Sequence, residues 1–163
     1  MVRVSSANSP RLSLAALLAA RPGHRPRLIF RTHRYRRGGG REPRRKGFTE
    51  ADHAALLDAA HFQLGGPIVG VWDNLNTHVS VAMAKSIAAR PWLTVFRLPP
   101  YGHELNPVEP VWSHLKRSLA NLTKHDLAEL TAPAKTRLRR MQYRSGLLAG
   151  FFASTGLEFG SFL

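Results

Sequence analysis

The feature that most limits how this chain can fold is the run Pro67-Ile68-Val69-Gly70-Val71-Trp72. It is apolar throughout, partly β-branched and too short for a core helix, so it reads as a strand. A strand without polar alternation is expected to be buried on both faces, in a sheet that carries helices on either side. The flanking sequence agrees with that layout. Before it, Thr49 and Asp52 have capping-box spacing, Ala55, Leu56, Ala59, Ala60 and Leu64 form an apolar helical stripe, and Gly65-Gly66 ends it. After it, Asn76 or Thr77 is placed to cap a helix over 79–89, closed by Arg90-Pro91.

The same alternation of elements continues in both directions. Residues 12–20 and 27–35 read as two extended segments joined by the turn chemistry of Arg21-Pro22-Gly23-His24-Arg25-Pro26. Residues 93–98 form the next strand, a helix follows over about 108–122, and one or two more run through Met141. The order β-β-α-β-α-β-α defines an α/β protein with helices packed on a sheet. The Gly- and Phe-rich segment from Ser145 to Leu163 carries no clear periodicity.

At 163 residues and 44% hydrophobic content, the chain is one domain's worth of globular material. The absence of cysteine excludes disulfides, cysteine-bound zinc and thiol nucleophiles. The early apolar run from Leu12 to Ala20 resembles a signal-peptide core, but a buried strand or short core segment is the favoured reading, and the run falls well below the roughly 20 residues of a membrane span. Charge carries more information. With 24 Lys and Arg against 10 Asp and Glu, the net charge is +14 and the pI about 11.6, which favours polyanionic partners. Residues 36–47 concentrate this charge in a Gly/Arg loop. Its Arg36, Arg37, Arg41, Arg44, Arg45 and Lys46 suit sequence-indifferent phosphate contacts, and a solvated surface loop is the alternative.

Two carboxylates stand out against this basic background. Asp73 follows the apolar strand directly, at the carboxyl end where open α/β sheets keep their chemistry. Read alone, it is also a turn former or helix cap. Glu109 lies in the first turn of the 108–122 helix, where acids also stabilise the helix dipole. Pro99-Pro100 and Pro107 stiffen the approach to it. Hard oxygen donors without cysteine point to Mg²⁺ or Mn²⁺ rather than zinc, and no H-E-x-x-H motif is present. Glu109, Trp112 and Lys116 share one helical face; Trp112 reads as a packing residue, while Lys116 and Arg117 suit phosphate or plain solvent. His78 and His103 flank the two acids, each a proton-relay candidate or an ordinary loop histidine.

Three segments together resemble a known family. Val71-Trp72-Asp73-Asn74-Leu75-Asn76-Thr77-His78, Leu98-Pro99-Pro100-Tyr101 and Leu105-Asn106-Pro107-Val108-Glu109-Pro110-Val111-Trp112 are similar to the DDE transposases of bacterial insertion sequences related to the Tc/mariner group. There, a D-N-x-x-x-H segment ends one strand, and an L-P-P-Y-S-P-D-L-N-P-I-E-x-x-W segment leads into the last catalytic helix. The likeness spans roughly Leu12 to Tyr143, and the interval from Asp73 to Glu109 suits the family. Gly102-His103 replace the usual Ser-Pro, and Glu104 the usual Asp.

The resemblance implies an RNase H-like mixed sheet flanked by helices. It also implies Mg²⁺- or Mn²⁺-dependent cleavage and strand transfer on double-stranded DNA, both transposon ends and target. Asp73 takes the role of the second acid and Glu109 that of the last, each catalytic and metal-binding. A cytoplasmic, nucleoid-associated protein with no membrane attachment follows, with a homodimer as a possible assembly.

One element of the family pattern is not met. The first catalytic aspartate is expected on a first strand, lying centrally between the strands at 12–20 and 67–72, yet no Asp precedes Asp52. Residues 1–145 therefore read as a partial RNase H-like domain lacking its first strand, and 146–163 as a C-terminal tail. Two functions follow: a transposase endonuclease in truncated form, or a catalytically inactive, basic DNA-binding remnant of one. An RNA-binding module is disfavoured, since no aromatic RNP-type motif occurs.

Overall fold

The computed structural model describes residues 3–4, 12–34, 47–120 and 127–157. A short strand, β1 (Arg3–Val4), lies against β2 (Leu12–Ala19), which forms an antiparallel hairpin with β3 (Arg27–Arg34). Leu12 faces Arg34 and Ala19 faces Arg27, with Gly23 at φ 70° in the turn between them. The hairpin is apolar on both sides and both are used. On one side, Leu12, Leu14 and Leu28 meet helices α4 (Val108–Leu119), α5 (Leu127–Gln142) and α6 (Ser145–Ala153) through Trp112, Leu138 and Leu148. Gln142 Nε2 also donates to the Leu28 carbonyl at 2.6 Å, tying α5 to β3.

The other side of the hairpin rests on helix α1 (Glu50–Leu64). The expected capping box is present: Asp52 N–H donates to Thr49 Oγ1, and Thr49 N–H donates back to the Asp52 carboxylate at 2.8 Å. Gly65 closes the helix at φ 67°. The buried stripe is broader than its sequence pattern, since Ala54 and Leu57 are buried while Ala55 is exposed. The cause is that α1 lies across two sheets. Leu56 and Ala60 pack under Ala15 and Ile29 of the hairpin, and Leu57 packs under the second sheet.

That second sheet is the parallel pair β4 (Ile68–Trp72) and β5 (Leu93–Arg97), with Ile68 opposite Leu93 and Trp72 opposite Arg97. Two helices make the crossover where one was expected: α2 (Asn76–Val79) and α3 (Val81–Ala88). Ser80 divides them. Its backbone is extended and its hydroxyl accepts Met83 N–H at 3.1 Å, so the cap is Ser80 rather than Asn76 or Thr77.

Burial of β4 on both faces is not observed. Ile68 and Trp72 face α1 and α3, whereas Val69 is 67% exposed, Val71 56% and the adjacent Phe96 58%. Helices α4, α5 and α6 all pack on the hairpin core, so among the described residues no helix layer covers that face of β4 and β5. The segment from Ser145, unreadable by periodicity, supplies α6, whose Leu148 and Phe151 belong to the main core.

Candidate active site

Asp73 leaves the end of β4 and is held at once by its own chain. The Leu75 N–H donates to its Oδ1 at 3.2 Å, and His78 Nδ1 donates to the same oxygen at 2.8 Å. Both bonds fall on Oδ1 while the side chain remains 37% exposed, so Oδ2 is left to face another partner. The His78 bond, ahead of the Leu75 bond, holds the Asp73 carboxyl below its ordinary range against a smaller opposing effect of burial. It is therefore a carboxylate at neutral pH, the form a hard cation requires.

His78 is itself held by rings. Trp72 stacks on it at 4.6 Å with planes 10° apart, and the edge of His53 from α1 approaches at 4.8 Å. Burial, with repulsion from His78 second, lowers the His53 pKa to about 4, so this ring is neutral. Among the described residues, His53 Nε2, Trp72 Nε1 and Thr77 Oγ1 are buried without hydrogen-bond partners, and all three lie in or against the Asp73–His78 segment. Unpaired buried polar atoms gathered at one place are a feature of functional sites. Sequence reasoning missed His53, because nothing in the α1 pattern signals that its ring meets a residue 25 positions on.

The path to Glu109 begins beside Asp73. Leu98 N–H donates to the Trp72 carbonyl at 2.8 Å, and Asn74 Nδ2 donates to the Leu98 carbonyl at 2.9 Å. These bonds fasten the exit of β5 to the exit of β4. Pro99 and Pro100 then lead into a 3₁₀ turn, Gly102–Leu105, whose first N–H donates to the Pro99 carbonyl. Asn106 ends this turn and starts α4. Its Oδ1 accepts Val108 N–H at 3.1 Å and its carbonyl accepts Glu109 N–H at 3.0 Å, with Pro107 at the first helical position. Glu109 is thus carried half-buried on a capped and proline-stiffened helix start.

Other sequence-derived residues fall as follows. Lys116 and Arg117 are exposed on α4, about two turns beyond Glu109, and Trp112 is buried in the core. His103 lies in the 3₁₀ turn, 3.9 Å from Glu104, and does not join Asp73. Arg36, Arg37, Arg41, Arg44, Arg45 and Lys46 lie outside the described residues. Asp73 and Glu109 fit a hard divalent cation in kind, as ionised or ionisable oxygen donors on restrained backbone. Among the described residues, however, no three acids or histidines converge to hold a metal ion. The pair is an incomplete donor set.

Asp73 stands at the carboxyl end of the parallel pair β4–β5, and Glu109 follows it in the chain at the start of α4. Family comparison gives the class: the sequence model for the DDE superfamily endonuclease matches residues 45–131. The chain belongs to this family, and the match contains Asp73, Glu109 and the segment joining them. Its fold is similar to the catalytic domain of Mos1 transposase, solved with raltegravir and manganese, at a TM-score of 0.52 and 11% identity over 91% of this chain and 84% of that one. A second Mos1 mariner transposase catalytic domain aligns at a TM-score of 0.47, also at 11% identity, over 91% and 83%. No curated protein sequence matches the chain significantly. The architecture is accordingly the RNase H-like fold of transposase catalytic domains.

Proposed function

We propose that this chain is the endonuclease domain of a DNA transposase, with Asp73 and Glu109 as its second and last metal-binding acids. The carrying observation is the Asn74–Leu98 hydrogen bond, which ties the strand end bearing Asp73 to the turn that delivers Glu109. A bound Mg²⁺ or Mn²⁺ would supply activation of a water and stabilisation of the leaving oxygen of a phosphodiester. The protein's own residues position and charge the site: His78 and Leu75 orient Asp73, Asn106 fixes the helix bearing Glu109, and Lys116 and Arg117 offer phosphate contacts. The basic loop at 36–47 adds sequence-indifferent affinity for duplex DNA.

A further strand bearing the first aspartate completes the site, lying between β2 and β4. Supporting this, β1 pairs with β2 only at Leu12 and Ser13, and β4 has a strand partner only in β5 among the described residues. Leu17 and Ile68 both pack where the two sheets meet over α1. Nicking of labelled duplex DNA with Mg²⁺ or Mn²⁺ tests the assignment. Asp73→Ala and Glu109→Ala are each expected to abolish it, and nicking that survives both would sink the reading. The chain by itself is expected to nick weakly, since two carboxylates hold metal less well than three.

That no three donors converge among the described residues suits a second reading, a non-cleaving DNA-binding remnant. It predicts metal-independent binding that weakens steeply with salt, and no cleavage under any metal. The site suits a protein working on the nucleoid, possible as a homodimer on paired DNA ends. No helix among the described residues is long and apolar enough to cross a membrane.

A further inference from the structure

Tyr101 is the only non-glycine residue with a positive φ among the described residues, at φ 65° and ψ 4°. Tyrosine has a Cβ that is crowded in this left-handed region, so the conformation is strained and persists only where the surroundings enforce it. Packing does not account for the side chain there, because Tyr101 is 93% exposed. Nor does the neighbouring glycine relieve the strain. Gly102 is buried against Pro99, where a Cβ would lie 3.0 Å from the proline ring, so glycine fits best at 102 while Tyr101 carries the left-handed turn. The loop is rigid on both sides: Pro99-Pro100 before it, the Gly102 N–H bond to the Pro99 carbonyl after it, and Leu98 fastened to Trp72 and Asn74. A strained turn thus displays a bare aromatic ring from the segment joining Asp73 to Glu109.

We propose that Tyr101 is a base-stacking residue, which receives the face of an unpaired nucleobase of the DNA beside the scissile phosphate. This rests on the endonuclease reading and adds a contact to it. A nucleobase suits the ring because both are flat and apolar on their faces, and stacking of this kind does not depend on base identity. The net charge of +14 brings the polyanion to the surface, and the ring is open to solvent there. The turn sets the direction of the Tyr101 Cα–Cβ bond, so the backbone loses less freedom when a base docks.

The test is anisotropy binding in metal-free buffer, comparing a perfect duplex with the same duplex carrying one unpaired 2-aminopurine. The wild-type chain is expected to prefer the unpaired probe. Tyr101→Ala is expected to weaken binding to that probe on the order of tenfold, with little effect on the perfect duplex. Tyr101→Phe and Tyr101→Trp are expected to keep the preference. Tyr101→Gly removes the ring and the backbone strain together, so it should lose the preference while its melting temperature holds or rises. Equal affinity of wild type for the two probes, or a preference undiminished in Tyr101→Ala and Tyr101→Gly, overturns the proposal. Asp73→Ala should keep the preference and lose metal-dependent nicking, so a failure of the cleavage reading shows in the nicking assay alone.

Discussion

The two sheets of this protein each carry an apolar strand, β2 and β4, and these end in opposite circumstances. The hairpin β2–β3 is covered on both faces, by α1 on one and by α4, α5 and α6 on the other. The pair β4–β5 is covered on one face only, leaving Val69, Val71 and Phe96 to solvent, and β4 pairs only with β5 among the described residues. The chemistry sits on the less protected half. Its local order comes instead from polar devices: the His78 and Leu75 bonds to Asp73, the Asn74 clamp on Leu98 and the Asn106 cap before Glu109. Stability and function are therefore separable in this fold, the first held by packing on the hairpin and the second by hydrogen bonds at strand ends.

The largest effect that bears on this division belongs to the hairpin core. Trp112→Ala empties a buried site between α4 and the hairpin and is expected to cost about 3–5 kcal/mol in urea denaturation. Next comes an acid sensitivity confined to the site half. Folded His53 titrates at about 4 and the unfolded residue near 6.5, so between those values the unfolded chain binds a proton that the folded one refuses. Stability is expected to fall as pH drops through that window. The loss attributable to His53 is on the order of 1–2 kcal/mol once screening at a partly solvated ring is allowed for. The difference in pH slope between wild type and His53→Gln, from denaturation at pH 7 and 4.5, measures it; identical slopes would remove the effect. The smallest change is Val71→Ser, expected to shift stability by less than about 0.5 kcal/mol because that face is already wet. A cost for Val71→Ser matching that of Trp112→Ala would erase the contrast between the two sheets.

Much of the fold was legible from local chemistry. The Thr49/Asp52 box, the Gly65 stop and the hairpin turn at Gly23 depend on bonds within a few residues, so sequence spacing carries them. Asp73 and His78 meet because a short turn and α2 return the histidine to the strand end, whereas the sequence alone marks His78 only as a relay candidate or an ordinary loop histidine. Other features had no local signal. The uncovered face of β4 was hidden because apolar residues mark what tolerates burial, while only the placement of helices decides what receives it. His53 against His78, and Tyr101 bare at a left-handed turn, arise from how distant segments meet.

By itself, the sequence determined the α/β order of elements, the basic character and the two acids at a strand end and a helix start, because periodicity, capping and charge are local properties. Only the tertiary structure decided that three helices gather on the hairpin and leave β4–β5 half-covered, and that Asn74 joins the two acid-bearing segments. Those outcomes depend on which surfaces compete best for the same apolar cover, a competition among parts far apart in the chain.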